Sequence, residues 1–265
     1  MSFFIEAYRQ SPILSVTAWI HAILFMAFCI LMIVDERQLL GVNVWNKPAK
    51  FAISIFVYTI TIAYIVGYVK SIRMKRLIEV GTSIAMTMEI LLIGMQAGRG
   101  VRSHFNLSSV FNSLVFSLMG IFIMIATLAA LLLVFYLTFH PPKELPDYLF
   151  RSIQFGLWIS ILGSIVGGYM AAQLQHTVGA ADGGPGLPIL NWSIEYGDMR
   201  IPHFVGLHAL QVIPLLALGM GKLVKQPAAR IWLTWGFIVG YILLLIIVFS
   251  IAYTGNPIII LLGIG

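Results

Sequence analysis

Seven long apolar runs decide what this chain can fold into. A helix that spans a bilayer needs about 20 predominantly apolar residues, and each run is close to that length or longer. The runs occupy residues 12–34, 51–69, 77–98, 110–139, 149–173, 203–223 and 231–253. They predict an all-α integral membrane protein, a seven-transmembrane-helix bundle that forms a single polytopic domain over residues 1–265.

The charges of the chain fit this class. Only 10% of the residues are charged, whereas soluble domains have about 25%. The net charge of +6 is therefore interpreted as lysine and arginine that orient the helices, and not as a surface for nucleic acid. The single cysteine, Cys29, excludes an intramolecular disulfide and cysteine-rich metal sites.

The distribution of lysine and arginine predicts the orientation. Of the 16 such residues, ten fall on the side of the N-terminus and six on the other side when the loops alternate. Because positive charge accumulates in cytoplasmic loops, we expect a cytoplasmic N-terminus and an extracytoplasmic C-terminus. The cytoplasmic membrane of a bacterium is the expected location. The expected partners are the lipid bilayer and a small-molecule or lipid ligand.

The loops on the minority side have unusual compositions. VWNKPAKF, GRGVRSHFN and GDMRIPHF combine cations with tryptophan, proline, histidine or asparagine. On the other side, KSIRMKR and KLVKQPAAR are typical of ordinary positive anchors. This asymmetry predicts a polar site that opens to the extracytoplasmic side.

One carboxylate, Glu89, lies inside the third run. A charged residue at the bilayer centre costs roughly 2.5–3.5 kcal/mol on insertion scales, and such residues usually face the bundle interior and serve a function. Thr82 and Gln96 lie two helical turns on either side, so the three side chains share one face. We expect a polar stripe that leads from the outer surface towards the middle of the membrane. A plain helix-to-helix hydrogen bond is the alternative.

Several histidines and a carboxylate are candidates for a metal site near the outer surface. They are His104, His176, His203 and His208, with Asp198. Three protein ligands and an open position are typical of catalytic zinc, and histidine also binds iron. His203 and His208 are about 140° apart around a regular helix. They can share a metal only if the helix begins after His203, which Pro202 permits because the residue before proline avoids the helical conformation.

The leading hypothesis is a metal-dependent, membrane-embedded enzyme that acts on a lipid or amphipathic substrate with bound zinc or iron. Glu89 and Asp198 are the predicted catalytic acid–base residues. Arginines suit an anionic headgroup. The predicted substrate-binding residues are Gln96, Arg99, Arg102, Arg200 and Gln211.

Two other classes stay open. One is an electron-transfer or sensor protein that binds haem b through two axial histidines. The other is a transporter or channel for a small anion or protons, in which Glu89 relays protons. The sequence shows no internal repeat between its two halves, which speaks against many transporter folds.

Glycines at four-residue spacing predict where helices approach closely. Gly163 and Gly167 form such a pair in the fifth run, and Gly236 and Gly240 form one in the seventh. We expect these faces to pack inside the bundle, with a dimer seam as the alternative.

Overall fold

The computed structural model describes residues 3–262, which form eight α-helices, two short antiparallel ladders and two 3₁₀ turns. The helices are α1 (Phe3–Gln10), α2 (Pro12–Val34), α3 (Asn46–Ile65), α4 (Ile72–Gly98), α5 (Val110–Phe139), α6 (Asp147–Gln173), α7 (Arg200–Leu223) and α8 (Pro227–Tyr253). The strands are β1 (Gln38–Leu39), β2 (Val42–Asn43), β3 (Thr177–Val178) and β4 (Gly197–Asp198). The 3₁₀ turns are Val66–Tyr68 and Ile258–Leu262.

Seven of the helices, α2 to α8, are long and apolar enough to span a membrane. The prediction of seven spanning helices is therefore confirmed, and the chain is an integral membrane protein. α3 and α4 begin more than a turn before the apolar runs, because their first turns carry polar residues such as Lys47 and Arg73. α1 is too short to appear among the runs. The orientation of the termini stays a prediction.

Local signals set the helix ends. Ser11 precedes α2, its hydroxyl accepts a hydrogen bond from the Leu14 amide at 3.3 Å, and Pro12 occupies the first helical position. Ser71 caps α4 in the same way. α6 ends where Leu174 adopts a left-handed conformation with a φ of 56°.

The contacts divide the chain into two compact units, Met1–Tyr136 and Leu137–Gly265. In the first unit, α2, α3 and α4 pack on one another, and α1 packs against α2 and α3. Small side chains such as Ala52 and Ala85 fill the core beside Phe28. Half of the most apolar stretch of α4 is buried, the largest share among the seven spans. The buried face of α4 is therefore the natural place for polar groups.

In the second unit, α6, α7 and α8 pack on one another. A Cβ atom added at Gly163 would lie 2.6 Å from the amide nitrogen of Leu207 and 2.9 Å from the Cα atom of Gly206. The predicted close packing at the glycines of the fifth run is therefore confirmed within the chain. No described atom lies within 4 Å of a Cβ atom added at Gly236 or Gly240. The corresponding prediction for α8 is not supported inside the chain.

The same series of elements occurs in both units. A spanning helix leads into a two-stranded ladder, and a second and a third spanning helix follow. The first series is α2, β1–β2, α3 and α4; the second is α6, β3–β4, α7 and α8. In each series the three helices pack on one another. The expectation of no repeat was wrong at the level of elements, because the two series share an order of helices and strands rather than a pattern of side chains.

Candidate functional site

Buried polar side chains form a line along one face of α4, which we call the α4 polar face. It consists of Glu79, Thr82, Glu89 and Gln96, all of which are buried. Their spacing of three and seven residues keeps them on one side of the helix. At about 1.5 Å per residue the line covers roughly 26 Å, close to the thickness of the hydrocarbon core. The stripe that the sequence predicted is present, and Glu79 extends it.

Glu89 occupies the middle of this helix face. Its side chain is only 3% exposed, and its Oε2 atom has no hydrogen-bond partner among the described residues. Lys47, in the first turn of α3, is the charged residue that acts on this carboxyl group. The Lys47 ammonium group also lies 5.8 Å from the ring centre of Phe51. A buried carboxyl oxygen without a partner is costly, so its retention calls for a functional explanation.

α2 supplies polar groups to the same interface. The hydroxyls of Thr17 and Ser83 are 2.6 Å apart, and the His21 Nε2 atom lies 3.3 Å from the carbonyl oxygen of Met86. Because both contacts advance together along the two helices, α2 and α4 run parallel here. The hydroxyls of Ser15 and Thr82 are buried without a hydrogen-bond partner in the described part of the chain.

His21 is a residue of this interface that the sequence analysis missed. Its side chain is completely buried, and its Nδ1 atom lies 2.7 Å from the carbonyl oxygen of Thr17. A signal was available, because Ser15, Thr17 and His21 are polar residues inside an apolar run. What the sequence does not give is the helix that these residues face.

Gln96 and Arg99 form the end of the α4 polar face. Gln96 is fully buried and donates to the Oδ1 atom of Asn112 at 3.1 Å. The Nη1 atom of Arg99 donates to the same oxygen at 2.9 Å and also to Oε1 of Gln96. The guanidinium group lies over the ring of Phe111, 4.5 Å from its centre. Every one of these partners is neutral, so no carboxylate among the described residues compensates the charge of Arg99.

The loop after α4 places Arg102 and His104 outside this line. The imidazole of His104 lies among the rings of Phe51, Phe105 and Phe116, with the centre of the Phe51 ring 5.5 Å away. Its Nδ1 atom is 3.1 Å from the hydroxyl of Ser103. The carbonyl of Arg102 accepts a hydrogen bond from Asn106. These contacts stabilise the loop and do not bring His104 into a group of metal ligands.

In the second unit, Asp198 is 1% exposed and its carboxylate is fully engaged. It accepts hydrogen bonds from the amides of Ser193 and Arg200 and from the Arg200 guanidinium group. Asp35 and Arg37 of the first unit form the same arrangement, with an Nη2–Oδ2 distance of 2.7 Å. Hydrogen bonds from Arg37, and then from the indole of Trp45, hold the pKa of the Asp35 carboxyl well below its usual range. Both pairs fasten a ladder, which is a structural role.

His176 is engaged with Asp182, and their Nδ1 and Oδ1 atoms are 2.8 Å apart. Burial lowers the pKa of His176, although the hydrogen bond with Asp182 acts in the opposite direction. Burial alone would raise the pKa of the Asp182 carboxyl, but hydrogen bonds from His176 and from backbone amides hold it below its usual range. The pair is therefore a neutral imidazole that donates to a carboxylate. Thr177, Ser193 and Arg200 line a shallow cavity of about 330 Å³ nearby.

The two histidines of α7 point to different partners. The Nδ1 atom of His203 lies 2.7 Å from the carbonyl oxygen of Gly163 on α6. The Nδ1 atom of His208 lies 2.9 Å from the carbonyl oxygen of Phe204, and the His208 ring stacks on the ring of that residue. α7 begins at Arg200, so His203 is already helical. The condition for a metal shared by the two residues is not met, because proline is compatible with the first turn of a helix.

The predicted metal site is not supported. Within residues 3–262, no three histidine, cysteine or carboxylate side chains are grouped so that they could hold a metal ion. The predicted cavity also drew on both units. Glu89, Gln96, Arg99, Arg102 and His104 belong to the first unit, and His176, Asp198, Arg200, His203, His208 and Gln211 belong to the second.

These observations define an integral membrane protein of seven spanning helices with a buried polar interface in its first unit. Comparison with protein-family models, with curated proteins and with solved structures finds no match for the chain.

Proposed function

We propose that this protein is a proton-coupled transporter that moves a small anion across the membrane. The proton path follows the α4 polar face, and the anion is received at Arg99. The observation that carries the proposal is the carboxyl group of Glu89, which is buried in a spanning helix with one oxygen unpartnered among the described residues. Intramembrane carboxylates and histidines are typical of proton relays in pumps and transporters.

The arrangement of groups along α4 supports a path rather than a single site. Unpartnered buried oxygens occur at Thr82 and again at Glu89, and His21 contacts the backbone between them. A hydroxyl both donates and accepts a hydrogen bond, and a carboxyl group can exchange a proton. Residues of this kind at successive turns permit proton transfer in steps, with water between them.

The anion is suggested by the surroundings of Arg99. Two amide oxygens fix its guanidinium group, and the ring of Phe111 lies beneath it. The group is thereby preorganised while its charge stays uncompensated, which favours a small anion that can accept hydrogen bonds from guanidinium. A cation at the C-terminal end of α4 is also stabilised by the helix dipole.

The repeated series of elements adds support. Many transporters are built from two sets of spanning helices with the same internal order. The metal-dependent enzyme has lost its main argument, because the ligands are not grouped. The haem protein stays a prediction.

The proposal is tested with purified protein in proteoliposomes that contain a pH-sensitive dye. With the membrane potential clamped by potassium and valinomycin, an imposed pH gradient should drive proton flux through the wild-type protein. Glu89→Gln keeps the volume of the side chain but cannot exchange a proton, so flux should fall to below about a tenth of the wild-type value. Glu195→Gln is the matched control, because Glu195 is exposed in a loop of the second unit.

A second variant tests the anion. Wild-type flux should depend on which of chloride, nitrate, phosphate or acetate is present, and Arg99→Gln should remove that dependence while donors for hydrogen bonds are kept. Wild-type flux in a Glu89→Gln protein that elutes and melts like the wild type would refute the proton path. Wild-type anion dependence in Arg99→Gln would refute the anion site.

A further inference from the structure

We infer that His21 is a second proton carrier on this path and that its ring holds two protons at rest. The role in transport rests on the proposed function, whereas the protonation state follows from the contacts of the ring. His21 is completely buried in α2, and none of the predicted site residues includes it.

Both ring nitrogens of His21 face acceptors. Nδ1 lies 2.7 Å from the carbonyl oxygen of Thr17, and Nε2 lies 3.3 Å from the carbonyl oxygen of Met86. A neutral imidazole has one N–H group, so one nitrogen would direct its lone pair at a carbonyl oxygen. An imidazolium ring has two N–H groups and donates to both carbonyls. The contacts therefore favour the doubly protonated ring.

The position of His21 suits transfer to Glu89. Its contact at Met86 lies between Thr82 and Glu89 on α4, and Met86 precedes Glu89 by about 4.5 Å along the helix axis. A buried cation needs an anion nearby, because removal of a charge from water costs several kcal/mol. Glu89 in its ionised form supplies that anion, and its Oε2 atom has no other hydrogen-bond partner among the described residues.

The proton transfer itself balances. The N–H bond at Nε2 of the His21 imidazolium breaks, and an O–H bond forms at Oε2 of the Glu89 carboxylate, with water carrying the proton across the gap. A charged pair becomes a neutral imidazole and a neutral carboxylic acid. The titratable groups on the helices that pack against α2 include Glu6 of α1, Lys47, Lys50 and Tyr58 of α3, and Glu79 and Glu89 of α4.

The protonation state can be measured without assuming transport. The protein is labelled with ¹⁵N-histidine and ¹³C-isoleucine, reconstituted in lipid, and studied by solid-state NMR at neutral pH. Ile20-His21 is the only Ile-His pair in the chain, so the two labels identify His21 without a mutation. We expect two protonated ring nitrogens in the wild type, and one unprotonated nitrogen in Glu89→Gln, where the counter-charge is absent. A wild-type ring with one unprotonated nitrogen would overturn the inference.

The transport role is tested separately in proteoliposomes. His21→Asn should lose most of the proton flux, whereas His140→Asn, at an exposed position, should keep it. Full flux in a folded His21→Asn protein would remove His21 from the path. If the wild type carries no flux although His21 is doubly protonated, the proposed function fails and the assigned protonation state stands. If flux is present and the ring is neutral, the proposed function stands and the inference about His21 fails.

Discussion

Replacement of Gly163 by alanine should destabilise the second unit. The new Cβ atom would lie 2.6 Å from the Leu207 amide nitrogen and 2.7 Å from the carbonyl carbon of Gly206. Ordinary contact begins at 3.4 Å, so α6 and α7 must separate by about 0.8 Å. The opposing atoms belong to the backbone, and no side-chain rotation can relieve the contact. Separation of the helices also weakens the hydrogen bond between His203 and the carbonyl of Gly163.

The magnitude follows from opposing contributions. Overpacking costs about 1–3 kcal/mol, and loss of one hydrogen bond costs about 0.5–1.5 kcal/mol. Alanine recovers about 0.5–1 kcal/mol relative to glycine inside a helix. The net loss of about 1–3 kcal/mol corresponds to a decrease in Tm of roughly 2–10 °C for a chain of this size.

The assay is thermal unfolding in mild detergent, followed by tryptophan fluorescence. Gly236→Ala is the matched control, since open space surrounds Gly236 and only the helix gain applies, so its Tm should be unchanged or slightly higher. Equal melting temperatures for Gly163→Ala and Gly236→Ala would refute the reasoning about the α6–α7 contact.

Two further predictions concern stability. Burial lowers the pKa of His176 below its usual 6.5, so the unfolded chain binds the proton first as the pH falls below 6.5, and stability decreases there. His176→Gln should lose less stability between pH 6.5 and about pH 5, measured as the denaturant midpoint, and parallel profiles would contradict this. The Tyr241 hydroxyl donates to the Val205 carbonyl at 2.7 Å, so Tyr241→Phe should cost about 0.5–1.5 kcal/mol. Tyr253→Phe, at an exposed position, should cost nothing, and an equal loss in both variants would exclude the hydrogen bond as the cause.

The spanning helices were predictable because their main determinant is written locally. α2 and α5 coincide with the apolar runs 12–34 and 110–139, since the length of an apolar stretch is itself what places a helix in lipid. The buried face of α4 was also readable. Glu89 and Gln96 are seven residues apart, and helix geometry alone puts them on one side.

The contacts of the site were not predictable in the same way. The partners of His21 and His203 are backbone carbonyls on neighbouring helices, and every residue has a carbonyl. Nothing in one chain marks which carbonyl a histidine meets, so His203 looked like a metal ligand and His21 was left out. The repeated series was missed for a related reason, because an order of helices and ladders can recur without any recurring residues.

The most direct test of the central claim is whether an anion gradient alone drives protons. Proteoliposomes with equal pH on both sides and a clamped membrane potential receive an inward gradient of chloride, nitrate, phosphate or acetate in turn. The transporter proposed here predicts that at least one anion changes the internal pH, that reversal of the gradient reverses the change, and that Glu89→Gln abolishes it. An internal pH that stays constant for every anion, at a protein density that the dye can report, would contradict the proposed coupling of protons to an anion.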